Sequence, residues 1–488
     1  MKKIFKKTLV SSLVLAAASM SHIASASNEQ NVIVKLKNPS ASFSISASQK
    51  DTLNVSPQAF HQKQGKLRLA NVKSFIQKNQ IKPKHVYSNV YSGFSATLTQ
   101  DQIDSLLKDP NVAAVYPDKI YNIYGASLNK NAPEQLKASK KSKAQKTTKR
   151  KRKLIDWPQV VPQGPADSGA MISSYRGNGQ HVYVLDTGVD VNQNDIKDNL
   201  GLSYAPEFCH WPGDNKVCPM PFSDDHSHGT HVAGTILASD NDINALGMAP
   251  EATLHAVKVC SNVGSCPGST ILAGLNWAVF DMLGRGTASV ANLSLGGPTD
   301  EDAGVCDENG YAGDNFIAES YCNAAHQGMV IVVAAGNDSD DASGYSPAGL
   351  DSTITVSAYS SYDPETGEAV YTNFSNYGVG SNTWSDRESG VITIAAPGES
   401  ILSLNRTHAT TRMSGTSMAA PAVAGAAALV LEKYPQAMDF SAMQNVRQLL
   451  VDNATIPAFY STKPDSDGNE LNFPHEEGLL NLLFLDDE

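Results

Sequence analysis

The stretch HVYVLDTG, residues 181–188, runs from a nearly continuous apolar segment into an aspartate and a glycine. Similar apolar runs recur at residues 252–259, 289–295, 329–334, 353–357 and 391–395. The segments between these runs have helical patterns. Strands that are apolar along their whole length are buried on both faces, as in a parallel sheet covered by helices. The sequence therefore predicts an α/β domain with a mainly parallel sheet and helices on both faces.

Two further motifs follow along the chain. After Asp186, which ends the first apolar run, come HGTH at 228–231 and GTSMAAP at 415–421. Catalytic groups of such sheets gather at the carboxyl ends of the strands, so Asp186, His228 and Ser417 are expected to meet there. These side chains can supply an orienting carboxylate, a base and a nucleophile. Each motif alone has an ordinary explanation, as a helix cap or a surface histidine pair, but together they predict a serine hydrolase.

The order Asp, His, Ser resembles that of the subtilisin-like serine proteases. The resemblance implies peptide-bond hydrolysis in which Ser417 forms an acyl-enzyme, His228 moves the proton and Asp186 orients the histidine. It also assigns Asn337, in the sequence AAGN, to the oxyanion hole. His226 is a competing candidate for the base, because it lies just before the HGTH motif.

The same resemblance implies that a peptide binds as an added strand between two edges of the site. The implied substrate-binding residues are Gly264, Ser265, Ser294, Leu295, Gly296, Gly297, Ala335 and Gly336. Gly296, Gly297 and residues 334–336 are small, so the primary pocket is expected to be apolar. Tyr345, which opens a YSPA stretch similar to that of proteinase K, is expected nearby. We expect cleavage after apolar or aromatic residues. Cleavage after Lys or Arg stays an alternative, because the carboxylate of Asp338 is expected at the rim of the pocket.

A structural calcium ion is also implied by the resemblance, and no catalytic cofactor is. The loop at residues 239–245 has the length of the family's calcium loop and offers oxygen ligands, which suit calcium. The implied ligands are Asp195, Ser239, Asn241, Ile243 and Ala245. Without the resemblance, this segment reads as an ordinary polar loop.

Two oppositely charged parts make up the chain. The first 153 residues carry 27 Lys and Arg against 7 Asp and Glu, whereas residues 154–488 carry 11 against 42. Lysines, an apolar run and the sequence ASA predict a signal peptide at 1–26 and a secreted protein without a membrane anchor. Residues 125–153 are predicted to be a basic, disordered linker. Residues 154–488 are assigned to the catalytic domain, whose negative charge argues against a nucleic-acid partner.

Residues 27–124 are predicted to form a small ferredoxin-like α+β domain. A polar loop is expected to about residue 63, and the predicted elements are a strand at 31–37, a helix near 67–80, two strands within 86–98, a helix at 100–108 and a strand at 111–116. This βαββαβ order, with YSGFSA and DPNVA, resembles the subtilase propeptide, which acts as an intramolecular inhibitor. The resemblance places self-cleavage close to Tyr124, and the basic run that ends at residue 153 is an alternative maturation site.

All six cysteines lie in the acidic part of the chain, and their even number in an exported protein predicts disulfides. They are Cys209, Cys218, Cys260, Cys266, Cys306 and Cys322. The connectivity stays open, although the spacing favours bonds between successive cysteines. A metal site is disfavoured because no CxxC pair occurs.

Together, these features predict a monomeric, calcium-stabilised endopeptidase that acts on polypeptides and is made as a self-inhibited zymogen. Two other functions stay open. A processing protease selective for basic residues would need carboxylates at the floor of its pockets, and an inactive binding protein would need a broken Asp-His-Ser set. The acidic segments at 300–319 and 363–388 have no assigned role.

Overall fold

The structure is a computed structural model that describes residues 29–37, 55–124, 158–206, 222–378, 391–465, 468–469, 471 and 473–487. The predicted signal peptide, the basic linker and the Cys209–Cys218 pair lie outside these residues. Within them, every helix is too short or too polar to span a lipid bilayer.

The N-terminal domain is a four-stranded antiparallel sheet with two helices. Its elements are β1 (Glu29–Leu36), α1 (Pro57–Lys78), β2 (His85–Tyr87), β3 (Gly93–Thr99), α2 (Gln100–Lys108) and β4 (Val112–Pro117). The strand order is β2-β3-β1-β4, and β1 is antiparallel to both of its neighbours. Val34, Val72 and Phe94 lie in the core shared by the sheet and the helices. The predicted α+β class is therefore confirmed.

Helix α1 begins at Pro57, so the polar loop predicted to about residue 63 is wrong in its last part. Ser56 caps the helix by accepting a first-turn N–H at 3.2 Å, and proline occupies the first helical position. The first turns are polar because they meet another part of the protein: Gln62 Nε2 donates to the carbonyl of Leu283 at 2.7 Å. An apolar periodicity could not reveal such a contact.

The remaining elements form a larger α/β unit. Its strands are β5 (Ile120–Ile123), β6 (His181–Asp186), β7 (Thr253–Lys258), β8 (Ser265–Pro267), β9 (Ser289–Leu293), β10 (Leu295–Pro298), β11 (Val305–Asp307), β12 (Gly310–Ala312), β13 (Met329–Ala334), β14 (Tyr345–Ser346), β15 (Ile354–Asp363), β16 (Glu368–Tyr371), β17 (Ile394–Pro397), β18 (Ile401–Leu404), β19 (Thr410–Met413) and β20 (Phe459–Thr462). Its helices are α3 (Gln163–Ser168), α4 (His228–Leu237), α5 (Gly268–Arg285), α6 (Phe316–Ala325), α7 (Thr416–Lys433) and α8 (Ser441–Asp452).

The main sheet has the strand order β20-β16-β15-β13-β9-β6-β7, with β17 beside β15. From β7 to β17 the neighbouring strands are parallel, whereas β16 is antiparallel to β15. One apolar core contains side chains of α4, α7 and α8, and a second contains those of α5 and α6. The predicted mainly parallel sheet between helices is therefore confirmed.

The strand order reverses at β6, because β7 lies on one side of it and β9 on the other. Ligands of such sheets bind beyond the carboxyl ends of the strands at this point, where β6 ends in Asp186. Helix α7 is buried over residues 416–431. It lies close to its neighbours because its residues are small; a Cβ at Gly425 would be 2.4 Å from the Met248 side chain. The first turn of α7 lies against the end of β9, where the Ser294 hydroxyl donates to the Ser417 carbonyl at 3.0 Å.

The acidic segment at 300–319 contains a hairpin of β11 and β12 and the first turn of α6. The Cys306–Cys322 disulfide joins the hairpin to α6, and the Cys260–Cys266 disulfide closes the loop between β7 and β8. Both bonds join successive cysteines, as the spacing favoured. In the second acidic segment, the described part includes β16.

Candidate active site

The end of β6 and the start of α4 hold the first two side chains of the site. His228 Nδ1 lies 2.8 Å from Asp186 Oδ1 and 3.0 Å from Oδ2, and both side chains are fully buried. Because a carboxylate accepts hydrogen bonds, the proton of the neutral ring lies on Nδ1. Among the described residues, His228 Nε2 has no hydrogen-bond partner. This arrangement suits a base that a carboxylate orients.

A second buried carboxylate, which the sequence analysis missed, holds the start of α4. Asp224 Oδ1 accepts hydrogen bonds from Thr187 Oγ1 and from the backbone N–H groups of His226 and Ser227. Its Oδ2 accepts from the backbone N–H and the hydroxyl of Thr230. A negative charge is favourable at a helix N-terminus. Asp224 therefore positions the helix that carries His228, and an acid shortly before a helix start was the available signal.

The two neighbouring histidines differ from His228 in their contacts. His231 Nε2 donates to the carbonyl of Ile401 at 3.0 Å, and burial lowers the pKa of His231 to about 3. This ring is a neutral packing residue. The ring of His226 lies 6.3 Å from that of His228, and burial lowers the pKa of His226 as well. It is His228 that contacts Asp186, which favours His228 over His226 as the base.

Ser417 is the second residue of α7 and is fully buried. Its Oγ lies 3.1 Å from the carbonyl oxygen of Ser294 and 3.4 Å from that of Tyr124. Tyr124 is the last described residue before the gap at 125–157. The start of α7 thus brings a hydroxyl, with the positive end of the helix dipole, to a backbone carbonyl of the N-terminal part of the chain.

Asn337 follows β13 and faces the start of α7. Its Oδ1 accepts hydrogen bonds from the N–H and the hydroxyl of Thr416, each at 2.9 Å. The orientation of the amide is therefore set, and Nδ2 must point the other way. Asn337 Nδ2 is shielded from solvent and has no hydrogen-bond partner within the described part of the chain. A donor held in this way suits an oxyanion hole.

Asn376, a second residue that the sequence analysis missed, holds the loop before Asn337. Its Nδ2 donates to the carbonyl of Ala335 at 3.1 Å, and its backbone N–H donates to that of Gly336 at 2.9 Å. Gly336 has a φ of 114°, and a Cβ there would lie 2.3 Å from Asn376 Nδ2. The loop therefore requires glycine at this position. Asn376 lies 41 residues beyond Ala335, so no local pattern marks it.

Strand β5 lies between the two predicted substrate edges. It is antiparallel to β10, with Leu295 opposite Ile123, and antiparallel to β8, with Ser265 opposite Asn122. The Ile123 N–H donates to the carbonyl of Gly264 at 2.9 Å. Strand β5 of the chain itself therefore lies where a peptide substrate was expected to bind as an added strand.

The ring of Tyr124 fills the predicted primary pocket. A Cβ at Gly296 would lie 2.2 Å from Tyr124 Oη, and one at Gly336 would lie 3.5 Å from its ring. Tyr124 shares an apolar core with Ala335 and Tyr345, and burial raises its pKa well above the usual range. Gly297, in contrast, faces Tyr121 rather than Tyr124. The assignment of Gly297 to the wall of this pocket stays a prediction, because successive strand residues point to opposite faces and a Cβ here would not meet Tyr124.

The predicted calcium loop lies beside Asp195, which is fully buried. The backbone carbonyl of Asp195 accepts from the Ser239 N–H at 3.0 Å, and Asn241 Nδ2 donates to Asp195 Oδ1 at 3.1 Å. Ile243 and Ala245 form bridges with residues 158 and 160, respectively. The structure therefore brings Ser239 and Asn241 to Asp195, and Ile243 and Ala245 lie farther along the same loop. Asn241 would have to turn its amide oxygen inward to bind a cation.

Gln159 was not among the predicted ligands, yet it belongs to the same region. Its Nε2 donates to the carbonyl of Ser239 at 2.8 Å, and its backbone N–H donates to that of Asp242 at 3.0 Å. A buried carboxylate among backbone and amide oxygens fits calcium, which prefers oxygen ligands. The donor set therefore fits the implied ion.

This chain is similar to known protein families and to individual proteins of known sequence or structure. The model of the Subtilase family matches residues 177–479, and that of Peptidase inhibitor I9 matches residues 31–124. Subtilisin NAT from Bacillus subtilis subsp. natto is 32% identical over 88% of this chain and 88% of its own length. Subtilisin-like protease 1 from Trichophyton rubrum is 34% identical over 71% of this chain and 56% of its own. A solved structure, a cold adapted subtilisin-like serine proteinase, is 28% identical and covers 62% of this chain and 91% of its own, with a TM-score of 0.45. The chain belongs to the subtilase family of serine endopeptidases and carries an N-terminal inhibitor domain of the I9 type.

Proposed function

We propose that this protein is a secreted endopeptidase that cuts its own chain after Tyr124 and then hydrolyses polypeptides after apolar or aromatic residues. The position of β5 carries the proposal, because it pairs with both edges and brings the Tyr124 carbonyl oxygen to 3.4 Å from Ser417 Oγ. The N-terminal sequence supports export. The aromatic ring in the primary pocket supports the specificity.

In the proposed reaction, Ser417 Oγ attacks the carbonyl carbon of the residue in the primary pocket. The hydroxyl turns from the Ser294 carbonyl towards His228 Nε2, which takes its proton. Asp186 keeps the ring in its Nδ1–H form and stabilises the imidazolium. Asn337 Nδ2 and the Ser417 backbone N–H stabilise the negative charge that develops on the carbonyl oxygen.

The intermediate then collapses and the carbon–nitrogen bond breaks. The amine leaves with the proton held by His228, and the acyl group remains as an ester on Ser417. A water molecule, deprotonated by His228, attacks this ester. The new intermediate releases a carboxylic acid, and Ser417 regains its hydrogen from the histidine. One water is consumed for each peptide bond.

Active-site labelling and peptide cleavage test the proposal. A fluorophosphonate should modify mature wild-type protein at Ser417, and the mature chain should begin at residue 125 or, after trimming, within the linker. In a peptide library, we expect cleavage after Tyr, Phe and Leu. A mature N-terminus before residue 120 or a strict preference for Lys and Arg would contradict the proposal.

We further propose that calcium binds at Asp195 and the loop at 239–245 and stabilises the folded protein. An ion present at 100 times its Kd adds about 2.7 kcal/mol to the free energy of unfolding. A chelator should therefore lower the Tm of the wild-type protein, and calcium should restore it. Asp195→Asn should abolish this response, whereas Asp242→Asn, at an exposed position of the loop, should keep it. An equal response of wild type and Asp195→Asn would exclude the site.

The Cys260–Cys266 disulfide closes the loop that carries one substrate edge, so its removal should weaken peptide binding. Replacing both cysteines by serine frees this loop, which must then be ordered when substrate binds. We expect KM to rise about three- to tenfold for peptides that reach four residues before the bond, with a smaller change in kcat. Replacing Cys306 and Cys322 provides the control, because that bond lies outside the edge. An unchanged KM in the first variant would contradict this role.

We expect His61 to make the inhibitor complex sensitive to acid. It is fully buried on α1, facing Arg68 of that helix and His326 and Asp439 of the catalytic part, and burial lowers its pKa from 6.5 to about 3. The neutral form is thus favoured in the complex. Its contribution is complete above pH 6.5 and is lost as the pH falls from there towards 3.

The inhibition constant of the cleaved complex should rise by about tenfold per pH unit below pH 6. The measurement is the activity released from the complex as a function of pH. In His61→Leu the inhibition constant should depend less on pH. Because the variant has the same catalytic residues, it also shows how much of the pH effect comes from catalysis itself. The same slope in both proteins would show that another group controls release.

A further inference from the structure

The acidic hairpin region, which had no assigned role, lies beside the strand in the cleft. Lys119 Nζ is 2.6 Å from Glu301 Oε1, just before β11. Lys119 directly precedes β5. Counted back from the bond after Tyr124, it is the sixth residue on the N-terminal side, the P6 position.

The main chain at Lys119 is held as well as its side chain. The N–H of Gly268 donates to the Lys119 carbonyl at 2.8 Å and continues the pairing of β5 with β8. One residue earlier, Asp118 accepts from the Ser269 N–H at 2.8 Å. The backbone pairing of this segment with the catalytic part therefore extends beyond the four residues that precede the bond after Tyr124. It places the side chain at P6 next to Glu301.

Glu301 belongs to the catalytic part of the chain and stays behind when the inhibitor domain leaves. Its backbone N–H donates to Thr299 Oγ1 at 3.2 Å, and the following hairpin is tied down by the Cys306–Cys322 disulfide. These contacts do not involve the inhibitor domain. The carboxylate therefore keeps its position beside the cleft in the mature enzyme.

We propose that Glu301 forms a charge-selective subsite of the mature enzyme for Lys or Arg at P6 of polypeptide substrates. The inference rests on the proposed function, because it requires Tyr124 to occupy the primary pocket. Any substrate that binds in the place of β5 carries its P6 side chain past Glu301. The side chains of Lys119 and Glu301 are 38% and 35% exposed, so the pair is partly solvated and its selectivity is modest.

The test uses mature enzyme and peptides copied from residues 118–127, DKIYNIYGAS, with a fluorophore and a quencher at the ends. Three peptides are compared, with Lys, Gln or Glu at P6. Mass spectrometry identifies the products, and only cleavage between the tyrosine and the glycine is used for the rates. For wild type we expect kcat/KM to be about two- to fivefold higher with Lys than with Gln, and lowest with Glu. In about 1 M salt the preference should disappear.

Glu301→Lys should reverse the order and favour Glu, and ratios within one variant cancel any general change in activity. Glu308→Gln, which removes an exposed carboxylate from the turn of the same hairpin, should keep the wild-type order. Equal rates for the three peptides with wild type, or an unchanged order in Glu301→Lys, would overturn the subsite alone. If wild type cuts none of the peptides, the proposed function fails and the subsite fails with it.

Discussion

Replacing Ser417 with alanine is expected to leave an uncut precursor and to lower peptide hydrolysis by at least about 10⁴-fold. Without the hydroxyl no acyl-enzyme forms, and only binding and the oxyanion donors remain. The Tyr124 carbonyl, 3.4 Å from Ser417 Oγ in the structure, would then face a methyl group. Intact mass and N-terminal sequencing of the purified protein measure the cleavage, and a peptide with Tyr before the bond measures the rate.

Ser343→Ala is the matched control, because it removes a hydroxyl from an exposed serine on the surface. This variant should mature normally. A trace of wild-type enzyme added to the Ser417→Ala precursor shows whether the precursor is folded and open to cleavage from outside. If pure Ser417→Ala protein reaches the mature size, maturation is not self-catalysed.

Asn337→Asp is expected to lower kcat by about 10²- to 10³-fold with little change in KM. The aspartate has the shape of asparagine and can still accept both hydrogen bonds from Thr416. It replaces the Nδ2 donor with an oxygen, however, so the developing oxyanion loses a hydrogen bond and meets a negative charge. Because this charge develops only along the reaction, the loss should appear in kcat.

Asn445→Asp makes the same substitution on the exposed side of α8 and should leave both constants close to those of wild type. The measurement is kcat and KM for one peptide with wild type, Asn337→Asp and Asn445→Asp. A fall in kcat of less than about fivefold in Asn337→Asp would remove Asn337 from the oxyanion hole. A rise in KM that accounts for the whole effect would instead indicate a role in binding.

Contacts far from the scissile bond hold the inhibitor domain. Asn276 Oδ1 accepts from the N–H groups of Ser88 and Asn89 at 2.9 and 2.7 Å, and Gln327 Nε2 donates to the Asn89 carbonyl at 2.6 Å. The ring of Phe316 stacks on Tyr116 with centroids 4.3 Å apart. None of these contacts depends on the bond after Tyr124, so they persist when it is cut. We therefore expect the domain to remain an inhibitor after the proposed cleavage.

The sequence predicted the ends of a helix correctly where those ends depend on residues that are close together in the sequence. Helix α2 has its predicted bounds because Thr99 and Gln102 form a capping box within four residues. The start of α1 was missed because its polar first turns contact Leu283, which lies 221 residues beyond Gln62. Gly296 and Gly297 were predicted to line the same pocket, although the alternation of side chains along a strand points successive residues to opposite faces.

Short motifs and their order were enough to single out Asp186, His228, Ser417 and Asn337, because the chemistry of each depends on its residue type. The orientation of these side chains, however, depends on contacts that only the tertiary structure shows. Asp224 holds the start of the helix that carries His228, and Thr416 binds the amide oxygen of Asn337, so that the donor nitrogen points away from Thr416. Only the folded chain revealed that Lys119 and Glu301 meet beside the cleft. Such contacts join residues distant in the sequence, and they form only when the packing of sheet and helices brings them together.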